Sequence, residues 1–483
     1  MNLGIISRNV GIALICSAVF MFLSAVVSAL NGFDESFSPL ILSAIVTLLV
    51  GVFPLLFVHG QKDINTMEGL AILLLSWFLS CIFAMLPYVL WGGTMTLADA
   101  WFESASGITT TGATALDDIE ALPKGLLFWR SSTHYIGGLG VVVFIMMILP
   151  SFGTIRFKMN KMDLEDISRN NYRYKSNKFI RVVITVYLTI TVVTFLALML
   201  AGMSPFDAIN HAFSATATGG FSTKNASIAA FDSPLIEAIL ASAMLASSLH
   251  YGLIYASVAT RSLKVFKNPV TRFYLMTILI ATVLVALNLR ASSTFDNIWT
   301  SLRHSIFTVI SLISTTGFAS TETNVWPIFS IIILMYVSIQ CGCSGSTTSG
   351  LRSDRVWILF KASRAQLTKI AYPNAVISVK TGGQPVDREI VSSVSIYVLL
   401  YLFIVIVMSA VYSLLGFDFI GSLSSSVSMM SNVGPCFGDI GNSLGSFSSA
   451  SPVAKILMGF QMIAGRLGVY SILLSFVIFK NKA

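Results

Sequence analysis

Charge is scarce in this chain. Only 11% of its 483 residues are Asp, Glu, Lys or Arg, where a soluble globular domain carries about a quarter, so a water-facing fold is excluded. The alternating segments of about ten residues that mark a membrane β-barrel are missing too. No Gly-x-x-x-x-Gly-Lys-Ser/Thr phosphate loop occurs, and the two largest polar stretches, 151–178 and 352–388, are too short for an ATPase domain. The five cysteines (Cys16, Cys81, Cys341, Cys343, Cys436) form no disulfide framework, and no second cysteine pair or histidine cluster stands near Cys341 and Cys343 to suggest a metal site. No Ser-His-Asp or paired-carboxylate constellation is found, which argues against a membrane-embedded enzyme or receptor scaffold. No clear cleavage site follows the first apolar segment, so it reads as a retained helix and not a signal peptide.

What is present is hydrophobic length. Apolar residues make up 55% of the chain, the mean hydropathy is +0.81, and apolar runs reach the twenty or so residues that a spanning helix needs. The fold class expected is an all-α integral membrane protein. Two additional leading helices occupy residues 1–62, near 9–30 and 38–58. Four pore units follow at 63–152, 179–262, 263–364 and 389–483, with polar loops at 153–178 and 365–388. Each unit reads helix, short helix, polar Gly/Thr loop, helix. The short helices are expected at 97–109, 205–216, 296–314 and 418–431. Asp99, Asp207, Asp296 and Asp418 stand near their starts, where an acidic residue suits a helix N-terminus. The count is ten spans and four re-entrant segments.

One short pattern closes each re-entrant segment. It reads Thr110-Thr111-Gly112-Ala113, Ala217-Thr218-Gly219-Gly220, Thr315-Thr316-Gly317-Phe318 and Asn432-Val433-Gly434-Pro435, with glycines 107, 98 and 117 residues apart at 112, 219, 317 and 434. A lone Thr-Gly pair means little, but four at near-equal intervals, in polar loops after segments too brief to span, are not helix-packing glycines. Four such loops can offer backbone carbonyls to a shared axis, and carbonyl rings replace the hydration shell of a monovalent cation. Thr111, Gly112, Thr218, Gly219, Thr316, Gly317, Val433 and Gly434 would contribute carbonyls, with Thr110 and Thr315 leading in. Asn432 breaks the hydroxyl pattern, so the fourth quarter should differ chemically. Half-helix C-termini aimed at one centre would favour a cation below it.

The basic residues orient the chain. With the N-terminus inside, 23 of the 30 Lys and Arg fall in inside segments: Arg8, Lys62, eight from Arg156 to Arg181, four from Arg261 to Arg272, seven from Arg352 to Arg388, and Lys480 with Lys482. Outside or in re-entrant segments lie Lys124, Arg130, Lys224, Arg290, Arg303 and Lys455. The positive-inside rule then puts both termini in the cytoplasm and all four Gly/Thr loops outside. The excess charge of +8 belongs to these loops and calls for no nucleic acid. Asp117, Asp118, Glu120, Glu322 and Asp439 follow the loops, either as cation-concentrating groups at the mouth or as ordinary solvated acids. All four units run in the same orientation, unlike the inverted repeats of many secondary transporters.

Two further features lie in spans. Gln340-Cys-Gly-Cys-Ser-Gly-Ser-Thr-Thr-Ser-Gly350 interrupts an otherwise continuous third-unit helix near 325–360. Such a run is a poor helix, and non-helical backbone at membrane depth is tolerated only where protein or a watery cavity surrounds it. The stretch 341–350, with Gly342, Cys343, Ser344, Gly345, Ser346 and Thr347 at its centre, reads as a gate across the pore. Arg466 stands midway along a last span expected at 452–480, where a charge is costly and functional by default. It should face the cavity near the loop, bonding loop carbonyls or opposing a cation, and Gln461 is a candidate to share that cavity. His134 and His250 read as packing or helix-end residues.

These residues together resemble the Trk/Ktr/HKT superfamily of potassium transporters, and within it the bacterial TrkH/TrkG type. The marks are Ser106-Gly-Ile-Thr-Thr-Thr-Gly-Ala-Thr114, Ser314-Thr-Thr-Gly-Phe-Ala319, Asn432-Val-Gly-Pro435, Gly342-Cys-Ser-Gly-Ser-Thr347 and Gly465-Arg466-Leu467, and the likeness covers essentially the whole chain. It implies four channel-like units around one pore in a bacterial inner membrane, potassium (K+) as the transported ion, and no nucleotide on this chain. It also implies a homodimer and a cytosolic ring of TrkA-type subunits with nucleotide-binding domains, for which loops 151–178 and 352–388 are candidate docking surfaces. Serine at the first filter position goes with sodium permeation in this family, so Gly112 implies potassium selectivity. The alternative is a sodium-permeable, or sodium- or proton-coupled, transporter on the same fold. Cys341, Cys343, Thr348 and Ser349 depart from a loop usually richer in glycine and alanine. Cys436 stands where glycine is common, which suggests thiol-reagent sensitivity at the outer mouth.

Overall fold

The computed structural model describes residues 2–58, 65–93, 95–148, 176–375, 377–382, 384–442 and 444–473. The expected inside segments 59–66 and 151–178, and Lys480 with Lys482, fall largely or wholly outside these. The described residues are mostly helical with extended loops between, and their strand content is a two-residue antiparallel pair that joins Lys380–Thr381 to Gln384–Pro385. Among the described residues six helices are long and apolar enough to cross a membrane, and a bent pair, Pro234–Ser248 with Tyr251–Ala259, would make a seventh.

The leading helices Leu3–Leu30 and Phe37–Phe57 cross at paired glycines. A Cβ on Gly11 would lie 2.4 Å from the Gly51 carbonyl oxygen, and one on Gly51 would lie 2.9 Å from that of Gly11. Close backbone approach of this kind drives helix association where lipid removes the hydrophobic incentive. Asp34, between them, accepts from the Gly125 amide at 3.2 Å and ties the pair to the first unit.

The four short helices are Leu97–Ile108, Pro205–Ala217, Ile298–Ile313 and Phe419–Ser431, each buried toward its C-terminal end. Their N-caps are built differently. Thr96 and Asp99 form a reciprocal capping box. Ser204 accepts from the Asp207 amide. Asp418 is itself the cap and accepts from Gly421. In the third, Asn297 and not Asp296 is the cap, accepting from Trp299 at 3.0 Å.

Ion pairs join successive units. Arg303 of the third short helix grips Glu237 of the second unit through two bonds of 2.8 Å. Lys455, on the last helix Pro452–Leu467, reaches Asp99 at 2.7 Å. The Trp101 indole donates to the Ile456 carbonyl at 3.2 Å, so the fourth unit closes back on the first.

Two expectations about spans change. The second unit's return helix does not run continuously from 234 to 260 but bends by 101° at Leu249–His250. The last span is broken at Gly468, where φ turns to +81, and helix resumes at Val469. Arg466 therefore sits in the last turn before a break, where a cation meets the negative end of the helix dipole.

Candidate functional site

Each short helix ends in the same way. Thr110, Thr218, Thr315 and Asn432 take left-handed backbone at φ 54, 55, 57 and 55, and two residues later Gly112, Gly220, Gly317 and Gly434 have φ 83, 88, 81 and 99. Between them the amides of Thr111, Gly219, Thr316 and Val433 donate back five residues to the carbonyls of Ser106, Ser214, Ser311 and Ser428. This back-bond past a left-handed residue is the Schellman way of satisfying a helix end.

The second quarter is thus shifted by one residue from the register that the repeated Thr-Gly pattern gives. Its glycine is Gly220, and Gly219 takes the place of Thr111, Thr316 and Val433. The intervals become 108, 97 and 117 residues. The signal was present as a serine four residues ahead of each left-handed residue, Ser106, Ser214, Ser311 and Ser428, a spacing that the Thr-Gly pattern alone obscures.

The four corners meet in a closed cycle. A Cβ on Gly112 would lie 2.0 Å from the Gly219 oxygen, on Gly220 2.0 Å from that of Thr316, on Gly317 2.0 Å from that of Val433, and on Gly434 2.5 Å from that of Thr111. Every corner's glycine packs on the next corner's carbonyl, and only glycine combines the positive φ with the absent side chain. The same four glycines floor a cavity of about 250 Å³, walled by Thr114, Asp117, Arg130, Lys224 and Phe447 among others.

Side chains around the ring are not fourfold. The Thr110 and Thr315 hydroxyls are buried without a hydrogen-bond partner among the described residues. The Thr218 hydroxyl instead donates to the Ala217 carbonyl at 2.7 Å and lies 3.4 Å from the Thr347 hydroxyl. The Asn432 amide donates to the Thr111 hydroxyl at 2.9 Å and to the Met462 carbonyl at 2.8 Å, so the fourth quarter does differ.

Sequence reasoning missed one brace. Glu103, on the first short helix, and Arg130, on the helix Lys124–Ile148, are 0% and 1% exposed and paired at 2.6 Å. Glu103 also accepts from the Thr114 hydroxyl and the Ala115 amide, while Arg130 donates to the Ser222 carbonyl at 3.2 Å and covers the Phe221 ring. The pair clasps the first and second corners. The available signal was two opposite charges in segments otherwise short of charge.

Beneath the ring lies the interruption between Ile328–Gln340 and Ser353–Ala371. Its ends, Cys341 (φ 58, ψ −174) and Arg352 (φ 68, ψ 136), hold backbone conformations that favour glycine. Arg466 donates to the Thr347 carbonyl at 2.8 Å, the Ser349 hydroxyl at 2.5 Å and the Gly137 carbonyl at 3.2 Å. The Ser344 amide donates to Asp354 at 2.5 Å, and the Thr347 hydroxyl to the Thr216 carbonyl at 3.2 Å. Loop and arginine, paired on sequence grounds, are in direct contact, and Thr347 is the loop residue that touches the second corner.

Other candidates fall elsewhere. Gln461 does not bond with Arg466's partners; it accepts from the Tyr412 hydroxyl and donates to the Ser426 carbonyl. Cys436 is fully buried and bonds the Gly441 carbonyl. Of the five outer acids, Asp117 alone lines the cavity. Lys224 pairs with Glu120 at 3.0 Å, and the Asn225 amide, donating to Asp118, holds that carboxyl below its ordinary value. His134 stacks on Phe221, and His250 caps a helix, as expected of both.

Comparison with known proteins bears on the family and the overall fold. The sequence family described as TrkH: Cation transport protein matches residues 38–483. The Trk system potassium uptake protein TrkH of Salmonella typhimurium is 32% identical over 99% of both chains. The Trk system potassium uptake protein TrkG of Escherichia coli is 31% identical over 86% of this chain and 85% of its own. The crystal structure of the potassium transporter TrkH from Vibrio parahaemolyticus superposes with a TM-score of 0.88 at 28% identity, covering 98% of each chain.

Proposed function

The chain belongs to the TrkH family of cation transport proteins, a family of transporters and not of enzymes, and from that premise we propose that it is the ion-conducting subunit of a bacterial potassium-uptake system. The closed cycle of glycine on carbonyl carries this reading. Four units supply backbone oxygens at one level from Thr111, Gly219, Thr316 and Val433, with glycines that keep side chains out. Such a ring exchanges a cation's water for carbonyl dipoles without binding so tightly that the ion cannot leave. The short helices point their negative ends toward the same region and favour a cation beneath it. The cavity above the glycines is the vestibule.

Potassium moves inward down its electrochemical gradient, with about 2.3 kcal/mol per charge per 100 mV from the membrane potential. The loop 342–347 lies across the path under the second corner and acts as the gate. Arg466 holds it there and sets a positive charge against the ion. The protein works as a homodimer in the inner membrane, both termini cytoplasmic. A cytosolic TrkA-type partner that binds nucleotide controls the gate through the inner loops.

The test is uptake of rubidium, a potassium stand-in, into proteoliposomes that hold this chain alone. Potassium competes and sodium does not if the ring selects as proposed; equal competition by sodium refutes the selectivity. Shortening 343–349 raises flux, and unchanged flux after that deletion removes the gate assignment.

A further inference from the structure

Neither proline nor glycine stands at the bend in the second unit. Sharp kinks arise at proline, at Gly/Ser pairs, at π-bulges or where a group inserts into the helical ladder. The sequence here is Ser247-Ser248-Leu249-His250-Tyr251. Leu249 is extended at φ −88, ψ 159, and His250 at φ −63, ψ 113 caps the next helix, its Nδ1 accepting from the Gly252 amide at 3.0 Å.

Following the backbone groups shows what inserts. In a continuous helix the amides of Tyr251 and Gly252 would donate to the carbonyls of Ser247 and Ser248. Here Tyr251 donates to the Gly345 carbonyl at 3.1 Å. The freed Ser248 carbonyl accepts from the Cys343 amide at 2.9 Å, and that of Ser247 accepts from the Thr347 amide at 3.4 Å and the Thr347 hydroxyl at 3.2 Å. The break in one unit and the interruption in the next thus satisfy each other's backbone. Gly345 permits it, since a Cβ there would lie 2.7 Å from the His250 ring.

We infer that this break is the seat of the gate loop and that the second unit's return helix straightens when the loop leaves. Non-helical backbone at membrane depth needs partners. Departure of residues 343–347 strips the Ser247 and Ser248 carbonyls and the Tyr251 amide of theirs, and a straight helix supplies replacements from within. The element is two-state, with the same backbone groups bonded either to the loop or to each other. His250 and Thr347 are positioning residues, one capping the bent form and the other bridging loop, break and second corner. The inference rests on the gate reading above.

The experiment measures two quantities on the full chain in proteoliposomes. Spin labels at Ala238→Cys and Val258→Cys, in a Cys16→Ser background, report the span across the break, which is about 30 Å in a continuous helix and shorter when bent. Rubidium flux reports the gate. Arg466→Ala and His250→Leu should each raise flux several-fold and populate the longer distance. Thr347→Val should follow them, while Thr347→Ser keeps the resting values; a general loss of folding would spare neither. Raised flux in Arg466→Ala with the distance still short overturns the seat and leaves the gate standing. Neither change in Arg466→Ala overturns the gate reading and this inference with it.

Discussion

The ring and the layer beneath it are built on opposite plans. At the ring four stretches share one conformation, and the residues whose carbonyls face the neighbouring glycines are Thr111, Gly219, Thr316 and Val433, with almost nothing in common as side chains. Beneath it every part occurs once: one loop from the third unit, one broken helix from the second, one arginine from the fourth. A spherical ion read by backbone dipoles needs repeated conformation and tolerates varied side chains. Holding and releasing a loop needs particular donors and acceptors, and these cannot be fourfold. Thr347, bonded toward the second corner, is where the two plans touch.

The comparison breaks most sharply at the ring glycines. Gly220→Ala and Gly317→Ala place a Cβ 2.0 Å from the carbonyls of Thr316 and Val433 at positive φ, and rubidium uptake should be abolished. Gly219→Ala meets the His134 ring instead. In a His134→Ala background Gly219→Ala should regain flux and Gly220→Ala should not, since its obstacle is backbone. Recovery of both would show that the shifted register of the second quarter is wrong.

Next in size is the brace. Glu103→Ala leaves the Arg130 guanidinium buried and unpaired, a loss of about 3–5 kcal/mol. A thermal denaturation midpoint unchanged in detergent would mean that the clasp between the first two corners contributes little.

Much of this was legible in the sequence. The short helices begin and end within about two residues of expectation, because caps and Gly/Thr loops mark both ends locally. The loop and Arg466 were paired correctly, because unstable helix composition and an intramembrane charge each demand a partner. The bend at Leu249–His250 was not legible. Ser247 to Tyr251 contain no proline or glycine, and the partners that take up their backbone bonds belong to a loop some 95 residues later in the chain. The Gly219–Gly220 ambiguity had a local solution in the serine spacing, but two adjacent glycines gave the simpler pattern two ways to match.

Gly112 sharpens the contrast within the ring. Its neighbour is the carbonyl of Gly219, followed by Gly220, and neither residue has a side chain to restrain a shift of that backbone. Gly112→Ser should therefore be accommodated by displacement of the second corner. Flux persists, and sodium begins to compete, with discrimination falling by roughly tenfold, or about 1.4 kcal/mol. Loss of all uptake, as in Gly317→Ala, would show that the corners are equally stiff.

The smallest effect expected tests how much symmetry the ring requires. Asn432 takes the left-handed position that threonine holds in the other three corners, and its amide satisfies both the Thr111 hydroxyl and the Met462 carbonyl. Asn432→Thr makes the corners uniform and leaves the Met462 acceptor without this donor, at about 1–2 kcal/mol. Asparagine also visits left-handed backbone more readily than threonine. If conformation and not side chain sets the ring, the variant melts slightly lower in detergent while potassium still excludes sodium in the uptake assay. A collapse of selectivity would place the Asn432 side chain among the groups that recognise the ion, and the ring would then share the one-of-a-kind chemistry of the layer below it.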